Sequence, residues 1–128
     1  MREIKFRGKG ENNNTWYYGY FVKDSESSDI LNLDEDVFYY VDENTVGQYT
    51  GLKDKNGVEI YEGDIVHIPN DWEKYGWTAG ENYEIDFKDG RYRLKPKYKP
   101  NARGYDLEYT NELEVIGNIY ENKELLGD

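Results

Sequence analysis

The stretch Val46–Ile68, VGQYTGLKDKNGVEIYEGDIVHI, decides the fold class. Val46, Gln48 and Thr50 alternate with Gly47, Tyr49 and Gly51, and a period of two suits a strand whose side chains point to opposite faces. Two glycines on one face leave room there for a backbone or a large ring. Asp54-Lys55-Asn56-Gly57 follows, and Asn-Gly is a strong short-range turn signal because both residues tolerate positive φ. Val58, Ile60 and Tyr61 resume the apolar run. Glu62-Gly63-Asp64 is a second turn, where Gly63 permits a left-handed residue and Asp64 can bond nearby backbone N–H groups. Ile65–Ile68 is mostly β-branched and stops at Pro69, which cannot continue a central ladder.

The flanking sequence reads the same way. Met1–Gly8 is expected as a strand, with Ile4 and Phe6 on one face and Lys5 and Arg7 on the other. Lys9–Thr15 is a polar loop, and Trp16–Val22 is the partner strand of an antiparallel hairpin. The aromatics of that strand fall on both faces, which predicts burial on both or one face offered to a partner. Lys23–Asp29 is a loop, Ile30–Leu33 a short strand, Asp34-Glu35-Asp36 a turn and Val37–Val41 a stronger strand. Pro69–Gly80 is a long loop carrying Trp72, Tyr75 and Trp77. Tyr83, Ile85 and Phe87 alternate with acids and reach the hairpin signal Asp89-Gly90, with Tyr92 and Leu94 on the return strand. Pro96–Gly104 is irregular, Leu113–Tyr120 is a last strand, and Asn122 caps a short terminal helical turn onto which Leu125 and Leu126 fold back.

The predicted class is therefore mainly β, built of short antiparallel strands and hairpins. The second half resembles a small SH3-like barrel in layout, an analogy that says nothing of function. The 128 residues make one domain, or two β lobes over 1–50 and 51–128.

Several runs carry a resemblance to a family. These are Ile4–Gly8, Trp16–Tyr20, Thr45–Gly57, Ile60–Val66 and Leu113–Asn122. Together, in this order, they resemble the YopX-like family of phage and prophage proteins across nearly the whole chain. The resemblance implies a phage- or prophage-encoded bacterial protein, and it supplies no catalytic residues to carry over.

Composition narrows the classes further. Aromatics make up 16% of the chain, enough large rings to bury a core despite a hydrophobic share of 37%. Without cysteine there is no disulfide or thiolate site, which fits a reducing cytoplasm. No apolar run reaches the ~18 residues of a spanning helix, so no membrane role is expected. The net charge of −11 repels phosphate backbones and disfavours nucleic acid as a partner. The charge is also segregated: Lys88–Arg103 holds seven basic residues against Asp89 alone, in a chain that is otherwise strongly acidic.

Catalytic chemistry finds no motif. The sole histidine, His67, lies in a β-branched run and reads as a strand residue, exposed or held by one hydrogen bond. Asp54–Glu59 resembles a calcium loop, but its acceptors lack the alternating spacing and the distal glutamate. No catalytic, cofactor or metal residues are assigned. The candidate interaction surface is the stretch Arg91, Arg93, Lys95, Lys97 and Lys99, with Tyr98 and with Trp72 and Trp77 for stacking. If extended, it is a basic stripe on one face, or a strand with its charged side in water. Asn56, Gly57, Gly63, Asp64, Asp89 and Gly90 are structural turn residues. The leading expectation is a non-catalytic, cytoplasmic, self-associating module that forms a homo-oligomer through complementary charge. An acidic DNA-mimic that occupies a host nucleic-acid-binding protein comes second, and a carboxylate hydrolase third.

Overall fold

A computed structural model of the chain describes residues 4–69, 80–96, 104–107 and 112–127. Among them the regular structure is antiparallel β with short 3-10 turns, as the sequence predicts. The chain divides into two units, Met1–Gly51 and Leu52–Asp128.

The first unit holds β1 (Phe6–Lys9), β2 (Trp16–Lys23), β3 (Ser28–Asn32), β4 (Val37–Tyr40) and most of β5 (Gly47–Lys53). The strands lie in the order β4-β3-β2-β1-β5, a meander whose last strand returns to pair with its first. Side-chain oxygens build the turns. Asn13 Oδ1 accepts from Thr15 N at 3.0 Å, Asp24 Oδ1 from Glu26 N at 2.8 Å and Ser27 N at 2.9 Å, and Asn32 Oδ1 from Glu35 N at 3.1 Å. Such short polar residues can replace a backbone turn partner. Past β4 the chain folds back on β1: Gly10 bridges Val41, and Asp42 N donates to Lys9 O at 2.9 Å. Gly8 makes this return possible, because a Cβ there would lie 2.9 Å from Val41. Inside, Ile30 and Val41 are buried, Phe6 meets Phe21 at 5.9 Å, and Tyr17 stacks on Tyr39 at 4.0 Å.

One expectation for the N-terminus is corrected. The strand begins at Phe6, and Ile4 is exposed. Arg7, on the face opposite Phe6, is buried with its guanidinium 4.7 Å from the Trp16 ring centre. A flat, weakly hydrated cation on an apolar stem stacks on indole where lysine would stay in water.

In the second unit, β5 runs on to Lys53, and β6 (Glu59–Tyr61) is its hydrogen-bonded neighbour beyond a turn. The other strands are β7 (Asp64–His67), β8 (Asn82–Lys88), β9 (Arg91–Leu94), β10 (Tyr105–Asp106) and β11 (Glu114–Asn118), in the order β10-β9-β8-β7-β11. The predicted turns are in place. Gly57 and Gly90 adopt φ of 80° and 83°, and Asp89 adopts 55°. Gly63 has φ of 93°, and the Tyr120 ring packs where its Cβ would stand. Ile60, Val66, Ile68, Tyr83, Ile85, Leu94 and Leu113 form one buried cluster, with Leu107 and Val115 against it.

Asp54 is the pivot of this unit. It is only 5% exposed, and its carboxylate takes three backbone N–H groups: Asn56 at 2.8 Å, Val58 at 2.9 Å and, on β11, Val115 at 2.8 Å. Asp64 acts similarly, accepting from Tyr61 N at 2.7 Å. At the C-terminus the expectation is corrected. Asn122 occupies the cap position of the 3-10 turn Lys123–Leu126 but makes no side-chain cap bond there. Its Oδ1 instead accepts from Asn118 N at 3.2 Å, because β11 ends in a turn that needs an acceptor. Leu125 and Leu126 are only partly buried.

The two units share one strand order, a four-strand meander with the fifth strand back on the first.

Replacing Asp54 by Ala leaves three backbone donors without their acceptor, and the expected loss of stability is about 3 kcal/mol. Urea unfolding measures it. Amide exchange must quicken at Val58 and Val115 together, and a loss under about 1 kcal/mol would refute the pivot role.

Candidate functional site

Strand register decides which rings face outward. Tyr20 pairs with Leu31, and Leu31 with Phe38; Val22 pairs with Asp29, and Asp29 with Tyr40. Paired residues share a face, so these are two cross-strand rows on one side of the sheet. Tyr18 joins them two residues before Tyr20. The rows between, with Phe21, Ile30 and Tyr39, point to the buried side. The outer rows stay open: Tyr40 is 66% exposed and Phe38 57%, with Tyr18, Tyr20 and Val22 also exposed. Scattered exposed apolar residues are ordinary, but contiguous rows of rings mark contact surfaces.

At the Lys23–Ser28 end of these strands lies an open cleft of about 480 Å³. Glu11, Asp24, Glu26, Asp42 and Glu43 are among the residues that line it, with Lys23 as its cation. Lys23 Nζ donates to Glu43 Oε2 at 2.6 Å, and Ser28 Oγ donates to Glu43 Oε1 at 3.2 Å. The Lys23 hydrogen bond holds the Glu43 carboxyl below its ordinary value. The Asp24 carboxyl is lowered by the backbone N–H groups of Glu26 and Ser27. Among the described residues no group of three or more His, Asp or Glu side chains is placed to hold a metal ion.

Within the described part of the basic stretch, Arg91, Arg93 and Lys95 alternate onto one face and each meets an acid. Arg93 is 1% exposed and grips Asp86, its cross-strand partner, through Nε at 2.8 Å and a second nitrogen at 3.1 Å. Arg91 meets Asp106 at 2.7 Å, and Lys95 lies 3.9 Å from Glu84. Burial raises the Glu84 carboxyl above its ordinary value, and Lys95 works against that rise. At Arg93 the solvated-face expectation fails, because Asp86, which alternates with Ile85 and Phe87 on β8, sits directly opposite it. Lys97, Tyr98, Lys99, Trp72 and Trp77 lie outside the described residues.

His67 Nδ1 and Asn82 Oδ1 are 2.8 Å apart, and Asn82 Nδ2 donates to Leu125 O at 2.9 Å. This chain of contacts ties β7, β8 and the terminal turn together. The sequence leaves the aromatics of Trp16–Val22 either buried on both faces or with one face offered to a partner, and the structure leaves Tyr18, Tyr20 and Val22 exposed. In Tyr17–Val22 both alternating sets are apolar, so periodicity alone cannot tell inside from outside.

Two outcomes follow from this geometry. Arg93→Ala strands Asp86 without its partner and is expected to cost about 3 kcal/mol, whereas Lys95→Ala, at a half-exposed pair, costs under about 1 kcal/mol. Equal losses in chemical unfolding would refute the distinction. In carboxyl NMR titration Glu43 is expected to titrate below an ordinary glutamate, and Lys23→Ala returns it upward. Since the folded-state value is the lower one, its stabilisation is present at neutral pH and fades as pH falls.

Comparison with known proteins agrees with this fold. No curated protein matches the chain. The crystal structure of protein EF1440 from Enterococcus faecalis is similar, at 27% identity and a TM-score of 0.56, with 98% of this chain and 99% of that one covered. The YopX protein family matches residues 5–127. That match spans the strands of both units, and the chain belongs to the YopX family.

Proposed function

We propose that this chain is a non-catalytic interaction module that docks a protein through the outer face of β2, β3 and β4. The observation that carries the reading is the pair of exposed rows, Tyr20–Leu31–Phe38 and Val22–Asp29–Tyr40, held in register by three strands. Rigid rings lose little conformational freedom on binding and supply large contact areas, which suits them to anchor an interface. A non-catalytic role is supported by His67, whose Nδ1 contacts Asn82 and so orients a strand. The route to self-association through a basic stripe loses its main support, because Arg91, Arg93 and Lys95 each meet an acid of the same unit. The lack of cysteine and the family resemblance favour action in a bacterial cytoplasm, in a phage or prophage setting. No helix among the described residues is long and apolar enough to cross a membrane.

A photo-crosslinking residue tests the docking face in the bacterial host. Placed at Phe38 or Tyr40, it is expected to give a discrete protein adduct. Placed at Phe87, an exposed ring of the second unit, it gives none. Absence of an adduct at both positions, or equal adducts from all three, would overturn the reading.

A further inference from the structure

We infer that the occupant of the aromatic face is a basic protein surface, which lays arginine or lysine side chains across the rings, and not a second copy of this chain. The inference rests on the docking reading above and concerns the chemistry of the partner.

Toward β3 and β4 the charge around the face is one-sided, while on the β1 side Arg7 and Lys9 stand opposite Tyr18 and Trp16, with the Arg7 guanidinium already stacked on Trp16. Between Trp16 and Thr45 there are eight carboxylates and a single cation, Lys23. That cation is already engaged by Glu43. The carboxylates also occupy particular places. Asp24 and Glu26 form the β2–β3 turn, and Glu43 reaches the same end through Ser28. Asp34, Glu35 and Asp36 form the β3–β4 turn at the opposite end. Asp29 stands within the face, between Val22 and Tyr40, and one of its oxygens is buried without a hydrogen-bond partner.

A two-fold dimer through this face would oppose either like ends or opposite ends. Both turn ends are acidic, so opposing the β3–β4 side of two copies sets carboxylates against carboxylates, and Arg7 and Lys5 on the β1 side are engaged by Trp16 and Tyr49. Phosphate backbones are repelled for the same reason. A cation gains twice, from the carboxylates and from the faces of Tyr18, Tyr20, Phe38 and Tyr40. Arginine gains most, because its planar group stacks on rings and forks onto carboxylates. Charge sets the sign of the partner, and the ring rows set the place of contact.

Three synthetic peptides of equal length test this, built on Arg-Ser-Leu, Gln-Ser-Leu and Glu-Ser-Leu repeats. Each is titrated into the full chain and followed by backbone amide shifts. The Arg peptide is expected to shift amides of β2, β3 and β4, to bind about tenfold tighter than the Gln peptide, and to weaken from about 0.1 M to about 1 M salt. Phe38→Ser with Tyr40→Ser should abolish binding, and Tyr40→Ser alone should weaken it. Glu26→Lys with Asp34→Lys, at exposed turn positions, should remove the preference for the Arg peptide.

Equal binding of the Gln peptide at this face would overturn the basic partner and leave the docking face standing. Concentration-dependent shifts of the same amides without peptide would mean a second copy, with the same consequence. Arg-peptide shifts spread over the acids of both units and unchanged by Phe38→Ser would mean polyelectrolyte attraction only, and would overturn the inference. No shift of these amides with any peptide would overturn both readings.

Discussion

The Asp54 carboxylate joins a local turn to a strand 61 residues further on, through hydrogen bonds to Asn56, Val58 and Val115. That bond to Val115 places β11 beside β7, and the buried cluster from Ile60 to Leu113 depends on the placement. A neutral side chain of the same size would accept fewer of these bonds, and water cannot replace them at a buried site. The first unit solves the same problem with other atoms. Lys9 N donates to Thr45 Oγ1 at 2.8 Å, and Tyr49 N to Lys5 O at 2.7 Å, so that β5 closes on β1. In each unit a short meander becomes stable when its last strand returns to its first.

Much of this was legible in the sequence because turns are local. Asn56-Gly57, Gly63-Asp64 and Asp89-Gly90 announce themselves through residues that tolerate positive φ, and the strands between them follow by alternation. What was not legible depends on contacts far apart in the chain. The sequence puts Arg7 on the face opposite Phe6, and its burial follows only once Trp16 is placed across the hairpin. Asn122 reads as a cap until the end of β11 claims its side chain. The basic run at Arg91–Lys95 reads as a free stripe because its acids lie on another strand or beyond the hairpin. Glu84 and Asp86 are seven and more residues away, and Asp106 comes later still. The aromatic face was half legible, since Tyr17–Val22 is apolar on both sides and only the register with β3 and β4 chooses the inner one.

The two units thus differ in how they handle charge. In the second, acids and bases pair across β8 and β9, and a buried arginine fixes register at some cost in desolvation. In the first, the carboxylates of the turns stay largely unopposed and frame a row of rings. A folded surface that keeps both uncompensated charge and exposed aromatics is poorly suited to stand alone in water. It is well suited to a partner that supplies apolar contact and positive charge together.

The most direct test of the account is whether the face is open in the free protein. Limited tyrosine nitration, with modified positions mapped by mass spectrometry, reads this out side chain by side chain. Tyr18, Tyr20 and Tyr40 are predicted to react early, and the buried Tyr49, Tyr61 and Tyr83 late. If Tyr18, Tyr20 and Tyr40 prove as protected as the buried rings, the face is already covered and the account of an open docking surface is wrong.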